Sequence, residues 1–203
     1  MELQNISFLN EAQKGFLEFV QKAHGNQKRK YTNEPYVYHL INVARNCAIY
    51  SSRTGIIEIA LGHDLLEDTK VSQDEILKKL LELGYSDLLA ILIVRGIKQL
   101  TDHYTPEAYP DLNREKRKHK EALRLAETDE IAQIVKCYDM IDNTISIVKF
   151  DPKFAEVYLK EKEEMLNHLY KAETGTKLIA QVCLVNAQVY LIYSQNKAEN
   201  HEK

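Results

Sequence analysis

Apolar residues in this chain recur at steps of three and four almost from end to end, and no segment alternates with a period of two for long enough to make a strand. That pattern restricts the fold to packed helices. Composition agrees: seven Gly and four Pro in 203 residues are too few for the turns of an all-β fold. Spacing and start signals predict an all-α bundle of about ten helices, at 7–24, 36–51, 55–67, 73–83, 87–98, 113–127, 129–140, 142–149, 152–172 and 175–194. Ser72 followed by Glu75 reads as a capping box, and Gly84 ends that helix. Asp151-Pro152 reads as an N-cap with Pro at the first helical position, and Pro35 opens a helix in the same way. Leu178, Val182, Val185, Val189 and Ile192 are expected to form the buried stripe of the last helix. With no Gly/Ser linker, residues 1–195 are expected to be one domain and 196–203 a frayed tail.

The formal net charge is -3. A mildly acidic chain lacks the basic face that nucleic acid requires. Any anionic ligand must therefore be met by a local basic cluster or a metal. Cys47, Cys137 and Cys183 are odd in number and form no CxxC pair, which suits reduced thiols used as small hydrophobes. The first residues lack the basic and apolar regions of a signal peptide. The longest apolar run, Leu88 to Val94, falls far short of the ~20 residues of a membrane helix. The expectation is a soluble cytoplasmic protein with no membrane partner; its oligomeric state is left open.

Chemistry concentrates in four places. In Gly62-His63-Asp64-Leu65-Leu66-Glu67-Asp68-Thr69, His63 and Glu67 are four apart, as are Asp64 and Asp68. Each pair shares a face if the helix persists that far. Three carboxylates and an imidazole this close repel one another or strain unless a cation or solvent intervenes, and mixed N/O ligation suits Mn or Fe. An exposed acidic helix end with an incidental His would give the same letters. His39 lies in a helix with apolar neighbours, as a core histidine or a ligand would. Asp139 follows Ile131, Ile134 and Val135, so it is expected on a mainly buried helix, where it needs a partner. His24, Lys28, Arg29 and Lys30 cluster before Pro35, either as an anion site or as a solvated loop.

Taken in order, these elements resemble the HD-domain hydrolases of the RelA/SpoT alarmone family, and most of all its small stand-alone members, including the metazoan SpoT homologues. His24 to His39 (HGNQKRKYTNEPYVYH) is similar to HxGQxRKxxGEPYxxH, HDLLEDT to HDxVEDT, and Lys136 to Asn143 to KLADxLxN; Gly84 to Thr101 resembles FGxxVxxLVxGVTKLT. The resemblance spans about residues 5–170. It implies a single HD domain that removes pyrophosphate from the 3′ position of (p)ppGpp. It implies one Mn²⁺ held by His39, His63, Asp64 and Asp139, and an acidic pair, Glu67 and Asp68, acting on the attacking water. Arg29 would lie against guanine, Lys30 near phosphate, and Asn143 on the substrate.

This chain departs from the family pattern at several positions. Asn26 and Asn33 stand for glycines, Leu40 for a Pro, Cys137-Tyr138 for Leu-Ala, Met140 for a basic residue and Ile145 for an Arg. Two positive charges are therefore missing near the implied phosphate site. Other nucleotides stay open as substrates: NADPH with its 2′-phosphate, or a nucleoside monophosphate. A non-catalytic alarmone-binding module is the rival of another class, and intact Glu67 and Asp68 count against it.

Overall fold

The computed structural model describes residues 6–201. The helices are α1 Glu11–His24, α2 Val37–Tyr50, α3 Ile56–Gly62, α4 Leu65–Asp68, α5 Gln73–Glu82, α6 Asp87–Leu100, α7 Arg114–Ala126, α8 Glu130–Phe150, α9 Pro152–His168 and α10 Thr174–His201. Among the described residues there is no strand; one isolated antiparallel bridge, Lys28 to Pro35, pinches the loop after α1. The all-α expectation holds. Most helix ends follow capping chemistry. The Ser72 and Glu75 side chains cap α5 reciprocally, and Asp151 caps α9 with Pro152 at its start. α1 begins at Glu11 rather than residue 7 because Asn10 and Gln13 form a capping box.

Two segments differ from the sequence reading. The helix expected over 55–67 breaks into α3 and α4. His63 Nδ1 lies 2.7 Å from the Ala60 carbonyl oxygen, taking up an acceptor that a continuing helix would offer to the Asp64 N–H. Conversely, the two helices expected at 129–140 and 142–149 are one, α8. The polar residues Asp139, Asp142 and Asn143 interrupt the apolar spacing there because they face a site, not because the helix ends.

α8 is the central helix. It packs on α2, α9 and α10, and buries Ile134, Val135, Tyr138 and Met140. α3 lies close against α6 because two glycines sit at the crossing: a Cβ on Gly62 would stand 2.7 Å from Ile97, and one on Gly96 2.5 Å from Ile59. This close approach fixes where the chain leaves α3, and His63 is the next residue.

α10 corrects the sequence in another way. Leu178, Val182, Val185, Val189 and Ile192 face outward, exposed by 58, 51, 56, 60 and 59%. The face turned to the core carries Ala180, Leu184, Ala187 and Leu191. Apolar residues occupy two faces of this helix, and small alanines let one of them seat closely on α8 and α9. By length and composition alone, Thr174–Lys197 is apolar enough to cross a membrane, at mean hydropathy 1.2. The longest uninterrupted apolar run, in α6, gave no sign of it. α10 also continues past Asn196 to His201; residues 202–203 of the expected tail, like residues 1–5, lie outside the described residues.

Candidate metal centre

Three parts of the bundle converge on one cluster. α2 supplies His39, the break between α3 and α4 supplies His63 and Asp64, and α8 supplies Asp139. His39 Nε2 lies 3.3 Å from Asp139 Oδ1 and 3.8 Å from Asp64 Oδ2. His63 Nε2 lies 3.1 Å from Asp64 Oδ2 and 3.8 Å from Asp139 Oδ1. Both Nε2 atoms are buried, and among the described residues neither has a hydrogen-bond partner. Their other nitrogens are engaged: His39 Nδ1 meets Asp142 Oδ2 at 2.6 Å, and His63 Nδ1 meets the Ala60 carbonyl at 2.7 Å. Those acceptors place a hydrogen on each Nδ1, so each ring can turn an Nε2 lone pair toward the two carboxylates.

The residues fit a divalent cation. Two borderline nitrogens and two hard oxygens, with no thiolate, form the donor set of Mn, Fe or Zn sites. His39, His63 and Asp139 alone bring one ligand atom each within 4.8 Å of one another. The buried, unpartnered nitrogens are otherwise a cost to the fold with no return. Burial opposes the charge on His63, and Asp64 and Asp139 outweigh it, raising its pKa well above that of imidazole. Burial would raise the Asp64 carboxyl; the His63 and His39 rings outweigh it and hold Asp64 below the usual carboxylate range.

Outer contacts aim these ligands. The Tyr36 hydroxyl donates to Asp64 Oδ2 at 2.7 Å. Lys136 Nζ lies 3.0 Å from Asp139, and Asn143 Nδ2 donates to Asp139 Oδ1 at 2.6 Å. Asp142 receives Asn42 at 3.1 Å on its other oxygen. Sequence reasoning gave no role to Tyr36, Lys136 or Asp142. The available signal was spacing: each lies three residues from a ligand candidate, one helical turn away.

The acidic pair divides. Glu67 Oε2 accepts the Asp102 backbone N–H at 3.1 Å, tying it to the loop after α6, while Asp68 Oδ2 accepts Gln27 Nε2 at 2.8 Å, tying it to the loop after α1. Asp102 in turn accepts Lys118 Nζ at 2.8 Å. Partial burial, followed by the nearby Asp102 carboxylate, pushes the Glu67 carboxyl up to about 7.

Of the basic residues, Arg29 and Asn143 come together and Lys30 stands apart. Arg29 donates to Asn143 Oδ1 at 2.8 Å and to Asp142 Oδ2 at 3.1 Å, and its side chain is only 12% exposed. The expectation of an exposed loop therefore fails for Arg29, because Asp142 and Asn143 draw it onto α8. Lys30 is exposed, 3.2 Å from the Tyr31 hydroxyl. Met140, where the family pattern has a basic residue, is buried in the core, and Ile145 lines a groove against α10. Asn33 keeps the left-handed backbone that a glycine would supply there, at φ 58°. Asn33→Val should destabilise the protein by ~1–2 kcal/mol in urea unfolding, since a β-branched residue pays the full left-handed cost; Asn33→Gly should be close to neutral.

No protein-family model matches the chain. Over 134 residues it is 30% identical to the guanosine-3′,5′-bis(diphosphate) 3′-pyrophosphohydrolase MESH1 of Drosophila melanogaster, covering 63% of this chain and 66% of that protein. A guanosine-3′,5′-bis(diphosphate) 3′-pyrophosphohydrolase of Aquifex aeolicus (strain VF5) is 48% identical over 59 residues, 29% of this chain and 8% of the relative. The probable GTP diphosphokinase RSH3, chloroplastic, of Arabidopsis thaliana is 27% identical over 152 residues, 75% of this chain and 20% of the relative. The chain thus spans about two thirds of the Drosophila protein and far less of the other two. A solved structure, described as a metazoan ortholog of SpoT that hydrolyzes ppGpp and plays a role in starvation responses, superposes with a TM-score of 0.71 at 20% identity, covering 88% of this chain and 96% of that one. At that identity the likeness establishes the fold.

Proposed function

This chain belongs to the HD-domain alarmone-hydrolase family of the RelA/SpoT type, and on that premise we propose that it is a metal-dependent hydrolase removing the 3′-pyrophosphate of (p)ppGpp to leave GDP or GTP. The observation that carries the proposal is the pair of buried, unpartnered imidazole nitrogens facing two carboxylates. In this reading His39, His63, Asp64 and Asp139 hold one Mn²⁺, and residues 1–195 act as a single hydrolase domain. The ion, when bound, would acidify a water molecule and offset phosphate charge. The chain's own residues do the rest. Glu67 takes a proton from the attacking water, and Asp68 holds the basic loop in register through Gln27. Arg29 and Asn143 form the wall against which the guanine lies, and Lys30 faces the phosphates from the rim. A small-molecule nucleotide is then the partner, and reduced Cys47, Cys137 and Cys183 fit a soluble protein of the cytoplasm.

The deciding experiment is incubation of the purified protein with ppGpp, pppGpp, NADPH and nucleoside monophosphates, with Mn²⁺ and with a chelator, reading products by chromatography. GDP or GTP with pyrophosphate, formed only with the ion, is the expected result. Phosphate released from NADPH alone would move the substrate to the 2′-phosphate, and tight nucleotide binding without any product would make the chain a binding module.

Arg29 and Lys30 separate two contributions. Arg29→Ala should raise KM by ~2–30-fold, the range of a guanidinium–aromatic contact of about 0.5–2 kcal/mol. It should also cost some stability, because Asp142 and Asn143 lose a partner. Lys30→Ala should raise KM with no change in the unfolding midpoint. An unchanged KM in the Arg29 variant would remove the guanine contact from the reading.

A further inference from the structure

Among the described residues, the outward stripe of α10 has no partner within the chain. Leu178, Val182, Val185, Val189 and Ile192 follow one another at steps of four, three, four and three. That is the a/d spacing of a two-helix seam, which is narrower than the stripe of a helix buried in a globular core. Tyr193, and Ile145 on α8, widen the exposed apolar face. Beside it a groove of about 650 Å³ opens between α8 and α10, with Ile145, Val182 and Tyr190 in its lining. A contiguous apolar surface of this kind on a single chain marks a contact site.

The flanks of the stripe indicate what covers it. Gln181, Gln188 and Gln195 recur every seven residues along one side, and Asn186 and Tyr193 lie along the other. No charged residue occurs anywhere in 178–195. Along α10 itself a partner of opposite charge would find nothing to read, and an identical stripe meets no like charge; charge enters from the flanks, at Lys149 in the groove lining and at Glu156, which accepts from Gln195 Nε2 at 2.6 Å. A lipid interior would bury the glutamines without hydrogen bonds; a seam between helices leaves them at its wet rim. We propose that the occupant is a second copy of this chain, with α10 packed on α10 about a two-fold axis. Such an isologous contact needs only one self-complementary patch. α10 is already seated on α8 and α9, so pairing orders no new segment. The stripe alone, about 21 Å long, is too narrow for the ~800 Å² that each partner of a stable pair covers. The tyrosines, Ile145 and the groove beside it extend the surface that pairing can cover. The metal ligands lie on α2, the α3–α4 break and another face of α8, so pairing leaves them open.

Sedimentation velocity on the full chain tests this. Val185 is the middle residue of the stripe, so it meets its own copy whichever way the two helices run. The unaltered chain should sediment at twice its 23.5 kDa mass. Val185→Lys and Val185→Glu should each sediment as monomers, and an equimolar mixture of the two should recover the dimer through opposite charges at the axis. Val185 is largely in water in the single chain, so both variants should keep the wild-type circular dichroism spectrum and nucleotide turnover. A monomeric unaltered chain overturns the proposal, whatever the variants do. So does a dimer that survives both substitutions, a mixture that stays monomeric, or an unaltered chain that floats with liposomes as a monomer.

Discussion

Asp64→Ala is expected to abolish both ion binding and turnover while leaving the helical bundle folded. Asp64 sits in the α3–α4 break with an oxygen 3.1 Å from His63 Nε2 and 3.8 Å from His39 Nε2, so its loss removes one of four converging donors. It also removes one of the two carboxylates that balance charge in a buried space. Lys136 already lies against the other, Asp139. A divalent ion would then enter a pocket with a single carboxylate and a nearby ammonium, and desolvation would go uncompensated. Affinity should fall by more than the ~10–100-fold typical of losing an outer hydrogen-bond partner. Asp142→Asn provides that milder comparison for ion content, because Asp142 meets His39 on its Nδ1 side and otherwise accepts from Arg29 and Asn42. Elemental analysis of purified variants, with product release measured in parallel, checks the order: unaltered chain, Asp142→Asn, then Asp64→Ala near zero. An Asp64→Ala protein that keeps one ion per chain and hydrolyses substrate would refute the four-ligand arrangement. Circular dichroism guards against a trivial loss of fold.

How much of this was legible in the sequence depends on whether a signal is local. Residue type marked His63-Asp64 and left His39 and Asp139 open between core and site; the family resemblance joined the four, and the structure brings them together. What ties them to one another could not be picked out. Asp142 orients His39 across a separation of 103 residues, and Tyr36 reaches Asp64 across 28. Helix spacing shows which residues share a face, but not which face meets which helix. The same limit explains α10. Its sequence contains two apolar faces, and only packing on α8 and α9 decides that the alanine-bearing one is buried. The break after Gly62 was hidden for a different reason. The apolar spacing runs on through Leu65 and Leu66, and the interruption comes from a side chain, His63, using a backbone acceptor of its own helix. In α8 the error ran the opposite way, because a polar patch that serves a site looks, in one dimension, like the end of a helix.

Glu67→Gln is the sharpest probe of the chemistry, because it keeps the shape of the side chain and removes only its ability to take a proton. Glu67 lies on α4, one turn after the His63-Asp64 pair. Its Oε2 is held by the Asp102 N–H at 3.1 Å, which fixes the carboxylate beside the His63-Asp64 pair. Its carboxyl stands at about 7, raised by partial burial and then by the Asp102 carboxylate, against a lowering by Lys136. A base acts only when deprotonated, so turnover at saturating substrate should rise with pH through the neutral region and level off above it. A cation nearby favours the carboxylate, so that rise should shift to lower pH in the loaded protein. The Gln variant should lose about 10²–10⁴-fold in kcat, the scale of general acid–base catalysis, and its residual rate should no longer follow that acidic limb. Ion content and KM should stay within a few-fold, since neither depends on a proton acceptor at this position. Near-normal turnover in Glu67→Gln would shift the base to Asp68, whose carboxylate is turned toward Gln27. Loss of the ion in the same variant would instead make Glu67 a ligand or its support, and the reading of α4 as the proton-accepting side of the site would fail.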